Sequence, residues 1–308
     1  MSRVLLSGAS GFVGRQALAA LAAGGHEVHA VARRAGAAAP GVSWHEADLL
    51  AGGAVVAELV EELRPELLVH LAWYAEHGRF WSSLENVRWV EASLALLRAF
   101  IAAGGRRAVM AGSCAEYEWS RERYPEDAPL APATLYGAAK HGLHVVASAL
   151  AAQAGVELAW ARLFFLYGPC EDPARFVPSL ALALLRGQPA PMSEGSQRRD
   201  FMHVADAGAA FAALAGSSFT GAVNVASGEG VALRELGQRI ARAAGREQLL
   251  RIGARALPAG EPPALIADVA RLREQVGFRP RVGLEQGLAQ TIDWWRERLA
   301  GERPPGDG

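Results

Sequence analysis

The sequence has little of what marks secreted, metal-bound or nucleic-acid-binding proteins. Its 308 residues include two cysteines, Cys114 and Cys170, which lie far apart and lack metal-ligand spacing. We therefore expect no disulfide framework, no metal site and a reducing compartment. The 31 basic and 32 acidic side chains give a net charge of -1, without blocks of like charge. This balance argues against a nucleic-acid partner, which favours a basic surface.

Long apolar runs are also missing. The apolar stretch that follows the N-terminus, from Val4 to Ser7, is shorter than a signal peptide needs. We therefore expect a cytoplasmic protein without a leader. No charge-free stretch is long enough to cross a bilayer, so no membrane association is expected.

Short β-rich segments alternate with helical segments through the first two-thirds of the chain. The predicted strands are Val4–Ser7, Glu27–Ala32, Val42–His45, Leu67–Leu71, Ala108–Ala111 and Glu157–Leu163. Helices are predicted at Phe12–Ala23 and Ser82–Ala103. In the second helix, apolar residues recur at steps of three and four, at Val87, Val90, Leu94, Leu97 and Ile101. The alternation predicts an α/β fold with a Rossmann-type doubly wound parallel sheet, whose sites lie beyond the strand C-termini.

Proline interrupts this pattern after Gly168-Pro169. We predict a dinucleotide-binding domain at residues 1–167, to which 199–226 return. Residues 168–198 and 227–300 are expected to form a smaller C-terminal substrate-binding lobe. The tail, 301–308, is rich in glycine and proline and is expected to be disordered.

A glycine-rich segment separates the first predicted strand from the first helix. Gly8, Gly11 and Gly14 have the spacing G-x-x-G-x-x-G, and Ser10, Phe12 and Val13 lie between them. Glycine allows a sharp turn and a close approach of the backbone to a pyrophosphate at a helix N-terminus. A tight strand–helix turn without a ligand is the structural alternative. We expect these six residues to bind the cofactor.

The end of the second strand predicts the type of cofactor. NAD enzymes place a carboxylate here, whereas this chain has Ala32 followed by Arg33 and Arg34. A guanidinium suits a 2′-phosphate, so we expect NADPH. Solvated surface arginines are the alternative. Asp48 and Leu49, after the third strand, are candidate contacts for the adenine end of the cofactor.

Three residues have the chemistry and the order of a carbonyl-reducing site. Tyr136 and Lys140 are four residues apart in a helical stretch and therefore share a face. The ammonium can lower the pKa of the phenol and hold a ribose hydroxyl. Ser113 ends the fifth strand, where a substrate carbonyl would lie. Chance occurrence of the Tyr-x-x-x-Lys spacing is the alternative.

At this point the chain resembles the extended short-chain dehydrogenase/reductases of the NAD-dependent epimerase/dehydratase family. The matching segments run in family order: Gly8–Gly14, Val69–Ala72, Ser113–Tyr117, Tyr136–Lys140, Arg162–Pro169, Arg199–Val204, Asn224–Gly228 and Ile266–Asp268.

The resemblance implies roles for these residues. Ser113 and Tyr136 bind the carbonyl oxygen, Tyr136 transfers the proton and Lys140 supports it. Asn86 orders the site, and Leu71 and Ala72 join the cofactor contacts. The resemblance also implies a homodimer that pairs helices near 82–103 and 136–153.

Family members act on nucleotide sugars, and the resemblance assigns Arg199 to the diphosphate. A buried salt bridge between Arg199 and Asp200 is the structural alternative. The family's second diphosphate arginine is out of register, because Leu257 precedes the Pro258–Glu261 turn and Arg255 lies two residues earlier. We keep Arg255 as a candidate substrate contact.

Two further departures affect the reaction. Family dehydratases carry an Asp-Glu pair after the catalytic hydroxyl residue, whereas this chain has Cys114 and Ala115. Neither is a suitable acid or base for elimination, so dehydration is not expected. Phe165 replaces the asparagine that usually follows the sixth strand. Cys114 and Phe165 remain candidate substrate contacts.

The segment 73–81 is unusually aromatic for this family. It carries Trp73, Tyr74, Phe80 and Trp81 directly after the fourth strand. These rings either line an apolar substrate pocket, to which Trp73 would contribute, or pack under the smaller lobe. Both interpretations stay open.

The combined prediction is an oxidoreductase of deoxysugar biosynthesis: an NADPH-dependent ketoreductase acting on a nucleotide-linked 4-keto-6-deoxysugar. The alternatives are a nucleotide-sugar 4-epimerase, a ketoreductase of a non-sugar natural product, and a catalytically silent NADPH-binding protein. The small-molecule substrate is the expected partner besides a second copy of the chain.

Overall fold

The computed structural model of the protein describes residues 2–257 and 260–301. Its strands are β1 (Arg3–Ser7), β2 (Glu27–Ala32), β3 (Val42–Glu46), β4 (Leu67–His70), β5 (Arg107–Ser113), β6 (Arg123–Tyr124), β7 (Glu157–Leu163), β8 (Phe165–Tyr167), β9 (Ala190–Pro191), β10 (Arg198–His203), β11 (Gly221–Val225), β12 (Gly230–Ala232), β13 (Leu250–Arg251) and β14 (Ala264–Ala267). Its helices are α1 (Gly14–Ala23), α2 (Gly53–Leu63), α3 (Glu85–Ala102), α4 (Leu135–Ala154), α5 (Phe176–Leu185), α6 (Val204–Gly216), α7 (Leu233–Ala244), α8 (Ala270–Glu274) and α9 (Leu284–Gly301).

Seven parallel strands form the main sheet in the order β11-β7-β5-β4-β1-β2-β3. On β1, Leu6 pairs with Ala30 of β2 on one side and with Val69 of β4 on the other. The chain winds outward from β1 in both directions, so the strand order reverses between β1 and β4. In a doubly wound sheet, ligands bind in the crevice at such a reversal, beyond the strand C-termini. The predicted doubly wound α/β fold is confirmed.

Helices cover both faces of this sheet, which explains why its central strands are apolar along their length. On one face, α1 and α6 pack together over a core that includes Leu21 and Phe211. On the other face, α2, α3 and α4 cover a core that includes Leu97 and Leu143. Burial on both faces makes the sheet a rigid floor for the side chains at its edge.

A second, smaller sheet has the order β12-β10-β14-β6, with β8 paired to β10. Helices α5, α7 and α9 pack beside it around Leu180, Ile240 and Ile292. Of residues 199–226, which were expected to return to the main domain, β11 is the edge strand of the main sheet. The expectation is wrong for the first residues of that segment, since β10 pairs with β8, β12 and β14 instead.

The predicted strands agree with the structure to within two residues at each end. Helix α9 continues to Gly301, so the first residue of the expected tail is helical. The rest of that prediction, 302–308, lies outside the described residues. Over residues 2–257 and 260–301, every helix is too short or too polar to cross a membrane.

Candidate active site

Two glycines shape the turn between β1 and α1. Gly8 has a φ of +73°, and a Cβ there would lie 2.7 Å from the backbone nitrogen of Ala72. A Cβ on Gly14 would lie 1.9 Å from the carbonyl oxygen of Gly8. Only glycine fits at either position, because the backbone itself is in the way. Ser10 and Gly11 are exposed at the tip of the turn, near the N-terminus of α1, where a phosphate is favoured.

A buried histidine connects the two strands and the helix that lie beneath this crevice. His70 hydrogen-bonds to the Ser7 hydroxyl through Nδ1 at 2.6 Å and to the Ser93 hydroxyl through Nε2 at 2.8 Å. Burial, with a contribution from the Lys140 charge, lowers the pKa of His70 to about 3, so the ring is neutral. This bridge fixes β1, β4 and α3 relative to one another. It joins residues distant in sequence and was not predicted.

The arginines after β2 are exposed, and neither Arg33 nor Arg34 forms an ion pair within the described residues. A carboxylate that the sequence analysis missed lies beside them. Glu46 is paired with Ala32 across the β2–β3 register, and its Oε1 accepts a hydrogen bond from the Ala35 backbone at 2.9 Å.

The two candidates after β3 differ in exposure. Asp48 is exposed and accepts a hydrogen bond from the Leu50 backbone at 3.0 Å. Leu49 is buried in the core beneath it. The side chain of Asp48 is therefore accessible to solvent, whereas that of Leu49 is not.

Close packing at the start of α4 brings two of the predicted catalytic residues to one place. Thr134 caps this helix, and its hydroxyl accepts a hydrogen bond from the Gly137 backbone at 3.1 Å. A Cβ on Gly137 would lie 2.2 Å from the carbonyl oxygen of Ala115, so only glycine allows this approach. The helix therefore rests on the turn that follows Ser113, and Tyr136 faces that serine.

The environment of Tyr136 keeps its phenol protonated. Burial raises the pKa of Tyr136 to about 12, and the neighbouring Ser113 side chain and the charge of Arg175 act in the opposite direction. A neutral phenol beside a serine hydroxyl can donate a proton to a carbonyl oxygen.

Lys140 lies one turn further along α4 and is only 4% exposed. Its Nζ donates a hydrogen bond to the carbonyl oxygen of Ala111 at 2.8 Å. The same Nζ lies 3.7 Å from the centre of the Trp73 ring. Burial lowers the pKa of Lys140 to about 7, while the Glu116 carboxylate raises it.

The aromatic segment surrounds the catalytic tyrosine. The ring centres of Phe80, Trp81 and Trp73 lie 4.9, 5.8 and 6.5 Å from that of Tyr136, all in edge-on geometry. The Tyr136 backbone also donates a hydrogen bond to the Trp81 carbonyl at 3.1 Å. Tyr74 is apart from this cluster and hydrogen-bonds to Glu76.

Asn86 orders the aromatic segment from below. Its Nδ2 donates to the carbonyl oxygens of Phe80 at 2.7 Å and Ser83 at 2.8 Å. Its Oδ1 accepts from the Trp73 indole at 2.9 Å. Asn86 is fully buried, and its bond to the Phe80 carbonyl is shielded from water, whereas the other two bonds are partly buried. The ordering role that the family resemblance implies for Asn86 stays a prediction.

A buried network that the sequence analysis missed holds Ser113 from behind. Glu116 accepts hydrogen bonds from the Ser113 backbone at 2.8 Å and from the Trp160 indole at 2.9 Å. Arg162 forms an ion pair with the same carboxylate at 3.0 Å. His141 and His144 bring ring nitrogens within 4.8 Å of it, a possible metal arrangement. The Arg162 charge, which contacts both Glu116 and His144, opposes a cation there.

The thiol of Cys114, next to Ser113, is buried, and burial raises its pKa to about 12. It is therefore a neutral thiol and a poor base.

Arg199 and Phe165 lie together in the smaller sheet. The guanidinium of Arg199 lies 5.6 Å from the centre of the Phe165 ring and forms an ion pair with Glu261 at 2.6 Å. The alternative of a bridge to Asp200 is wrong, because neighbouring residues on a strand point to opposite faces. Asp200 instead accepts hydrogen bonds from the backbone of Ser227 and Gly228.

Arg255 is exposed, and its side chain makes no hydrogen bond or ion pair with the described residues. Its backbone donates to the Met192 carbonyl at 3.1 Å. The turn that follows is only partly described, because residues 258 and 259 lie outside the described ranges.

A buried carboxyl group near the site has no assigned partner. Glu171 is 4% exposed, and its Oε2 has no hydrogen-bond partner among the described residues. Burial raises its pKa to about 8, and Arg175 opposes the shift. Arg175 lies 5.9 Å from the Phe80 ring that packs on Tyr136. Cys170, just before Glu171, has a φ of +69°, which is unusual for a residue other than glycine.

Known proteins resemble this chain in sequence. A sequence profile of the NAD dependent epimerase/dehydratase family matches residues 4–226. The chain is 29% identical to a UDP-glucose 4-epimerase of Mycolicibacterium smegmatis, over 96% of this chain and 99% of the relative.

Solved structures extend the likeness over the whole fold. A Thermus thermophilus UDP-glucose 4-epimerase in complex with NAD is 27% identical, with a TM-score of 0.83 over 96% of this chain and 99% of that one. An NAD dependent NDP-hexosamine 5,6-dehydratase, TunA, involved in tunicamycin biosynthesis, is 29% identical, with a TM-score of 0.82 over 97% and 99%.

Proposed function

Because the chain belongs to the NAD dependent epimerase/dehydratase family, we propose that it is an enzyme that transfers hydride between a nicotinamide dinucleotide and a nucleotide-linked sugar. One observation carries the proposal. Ser113, Tyr136 and Lys140 lie close together at the crevice where the strand order reverses. This is the place where an open α/β sheet binds its ligands.

The residues around the crevice fit a dinucleotide. The glycine turn brings backbone, not side chains, to the place where a pyrophosphate would approach the N-terminus of α1. Lys140 would hold the ribose next to the nicotinamide, and the bound nicotinamide supplies the hydride. The relatives that bind or use NAD support this cofactor class.

The preference for NADPH rests on Arg33 and Arg34. Both are exposed where β2 ends, and neither is neutralised by an ion pair within the described residues. A guanidinium there suits a 2′-phosphate. The Glu46 carboxylate would repel a 2′-phosphate, but its Oε1 already accepts a hydrogen bond from the Ala35 backbone.

In the direction of reduction, Tyr136 donates the proton to the carbonyl oxygen as hydride reaches the carbon. Ser113 holds that oxygen by hydrogen bonding and is itself fixed by Glu116. The ammonium of Lys140 stabilises the phenolate that remains on Tyr136, and solvent then restores the proton. The general acid in such a step is typically worth about 10²–10⁴-fold in rate.

We favour net reduction of a 4-keto-6-deoxysugar over dehydration. Elimination needs an acid and a base beside the sugar, and the positions after Ser113 hold Ala115 and the neutral thiol of Cys114. Arg199 would bind the diphosphate of the nucleotide. Glu261, its ion-pair partner at 2.6 Å, would compete with the diphosphate for the guanidinium.

A 4-epimerase is the second candidate. It is favoured by the relative from Mycolicibacterium smegmatis, which the chain matches over nearly its full length. The two reactions differ in cofactor consumption. A reductase oxidises one NADPH for each sugar reduced, whereas an epimerase interconverts two sugars with no net loss. Assaying nucleotide-linked 4-keto-6-deoxyhexoses and 4-hydroxyl epimers with NADPH and NADH therefore tests the proposal. Activity confined to a bulky non-sugar ketone would favour a natural-product reductase instead.

We propose a second copy of the chain as the protein partner. Helices α3 and α4 pack side by side, and apolar side chains on them are exposed to solvent: Val87 on α3 is 44% exposed, and Val145 and Val146 on α4 are 55% and 49% exposed. Such a patch on packed helices is typical of a subunit contact. Sedimentation velocity checks this: a dimer is expected for the wild type and a monomer for Val146→Arg, and a monomeric wild type would contradict it.

A further inference from the structure

Trp73 occupies a sensitive place at the cofactor crevice. It directly follows Ala72, whose backbone nitrogen lies against the glycine turn, where a Cβ on Gly8 would be 2.7 Å away. Its indole reaches across to α4, where its ring centre lies 3.7 Å from Nζ of Lys140. The ring therefore links the cofactor crevice to the catalytic lysine.

The surroundings of Lys140 explain why an aromatic face matters there. One N–H of the ammonium is bound to the Ala111 carbonyl at 2.8 Å, and the side chain is almost completely buried. Burial of this kind favours the neutral amine, which cannot stabilise a phenolate on Tyr136. The negative face of an indole attracts a cation, most strongly where water is excluded.

Trp73 is itself held in place. Its indole N–H donates to Asn86 Oδ1 at 2.9 Å, and Asn86 is anchored by the carbonyl oxygens of Phe80 and Ser83. The ring also packs 6.3 Å from Trp89, centre to centre. An indole tethered at one end presents a fixed face to the ammonium.

We propose that Trp73 is a positioning residue for Lys140. The π face of its indole keeps the Lys140 ammonium charged and holds it in place beside Tyr136. The inference rests on the proposed function, in which Lys140 binds the cofactor's ribose. It assigns Trp73 to the lysine, and not to the substrate pocket.

Other ionisable groups near Lys140 do not replace this contact. Glu116 attracts the ammonium but is bound to Arg162 and to the Ser113 backbone. His70 is neutral, since its pKa is lowered to about 3. The phenol of Tyr136 is neutral as well, since its pKa is raised to about 12. Among these groups, Lys140 is thus the one that changes charge near neutral pH, since burial lowers its pKa to about 7.

The test compares two apolar replacements, Trp73→Phe and Trp73→Leu. Both leave an apolar side chain, but only phenylalanine keeps a π face. Binding of NADPH, NADH and ADP is measured by calorimetry on both sides of the Lys140 pKa of about 7, at mildly acidic and at alkaline pH. ADP reports on the adenine half of the site, which is remote from Lys140.

We expect Trp73→Leu to weaken binding of the preferred dinucleotide about 10-fold at the alkaline end, the size of a buried cation–π contact. The pH at which affinity falls should also move downward, because the amine loses its proton more easily. Trp73→Phe should stay within about threefold of the wild type. ADP should bind equally to all three proteins.

Two further variants keep the result interpretable. Trp89→Leu removes a neighbouring ring that does not contact Lys140, and should leave the pH dependence unchanged. In a Lys140→Met background, Trp73→Leu should weaken dinucleotide binding no further.

The proposal would be overturned if Trp73→Phe and Trp73→Leu weakened dinucleotide binding equally. It would also be overturned if Trp73→Leu weakened binding as much in the Lys140→Met background as in the wild type. Trp73 would then be a packing residue. Failure of the wild type to bind either dinucleotide would instead contradict the proposed function.

Discussion

The guanidinium of Arg199 donates to Glu261 Oε2 at 2.6 Å, and this ion pair occupies the group expected to hold a diphosphate. Arg199 is buried on β10, whereas Glu261 is about one-third exposed. The carboxylate is therefore the partner that can be displaced. A nucleotide must compete with it for the arginine.

This competition predicts opposite effects of two substitutions. Glu261→Gln removes the competing charge and should tighten UDP or dTDP binding by about 3- to 10-fold, while Arg199→Met should weaken it about 10- to 100-fold. Calorimetric titration with both nucleotides measures the two effects. Weaker binding in Glu261→Gln would show that the carboxylate contacts the nucleotide itself.

The proton donor is tested by Tyr136→Phe. The variant keeps the ring that Phe80 and Trp81 contact, so the fold and cofactor binding should be retained. Without the phenol, kcat should fall by about 10²–10⁴-fold. Steady-state kinetics, with circular dichroism as the folding control, checks this. Turnover within a factor of about two of the wild type would remove Tyr136 from the mechanism.

Cofactor preference is tested by Arg33→Ala. Loss of a charge-assisted contact with the 2′-phosphate should weaken NADPH binding about 10- to 100-fold and leave NADH nearly unchanged. The matched variant Glu46→Gln should not weaken NADPH binding. Equal losses for both cofactors after Arg33→Ala would indicate a structural role for the arginine, and unchanged binding a solvated surface group.

Glu171 predicts a dependence of stability on pH. Its pKa is raised to about 8 by burial, against about 4.3 in an unfolded chain. Between these values the folded state holds a proton that the unfolded state has lost, so stability falls as pH rises from about 5 to 8.

Glu171→Gln should flatten this slope and raise the free energy of unfolding by about 2–4 kcal/mol at pH 8, at ~1.4 kcal/mol for each pKa unit. Urea unfolding at several pH values measures it, with the exposed Glu297→Gln as the control. A slope that survives in Glu171→Gln would assign the pH dependence to other groups.

Local patterns made much of this site predictable. The glycine turn, the end of β5 at Ser113 and the Tyr136–Lys140 spacing are each set within a few residues, so the sequence shows them directly. The long-range contacts were not predictable in the same way. Glu116 with Arg162, and Asn86 with Trp73, join distant segments through the fold. A single sequence carries no pattern that shows which polar side chains will contact one another in the fold.

The helix at 85–102 shows a different limit. Its stripe of apolar residues was correctly predicted to be helical, yet Val87 is 44% exposed while Phe100 is fully buried. Periodicity identifies an apolar face, but it does not tell a core contact from a surface that another subunit covers.

The central claim is tested most directly by the stoichiometry of the reaction. The protein is incubated with NADPH and a series of nucleotide-linked 4-keto-6-deoxyhexoses, while nicotinamide absorbance and the sugar products are followed together. We predict one NADPH oxidised for each sugar reduced, and loss of both signals in Tyr136→Phe. Interconversion of 4-hydroxyl epimers with no net change in NADPH would contradict the reductase and establish the epimerase instead.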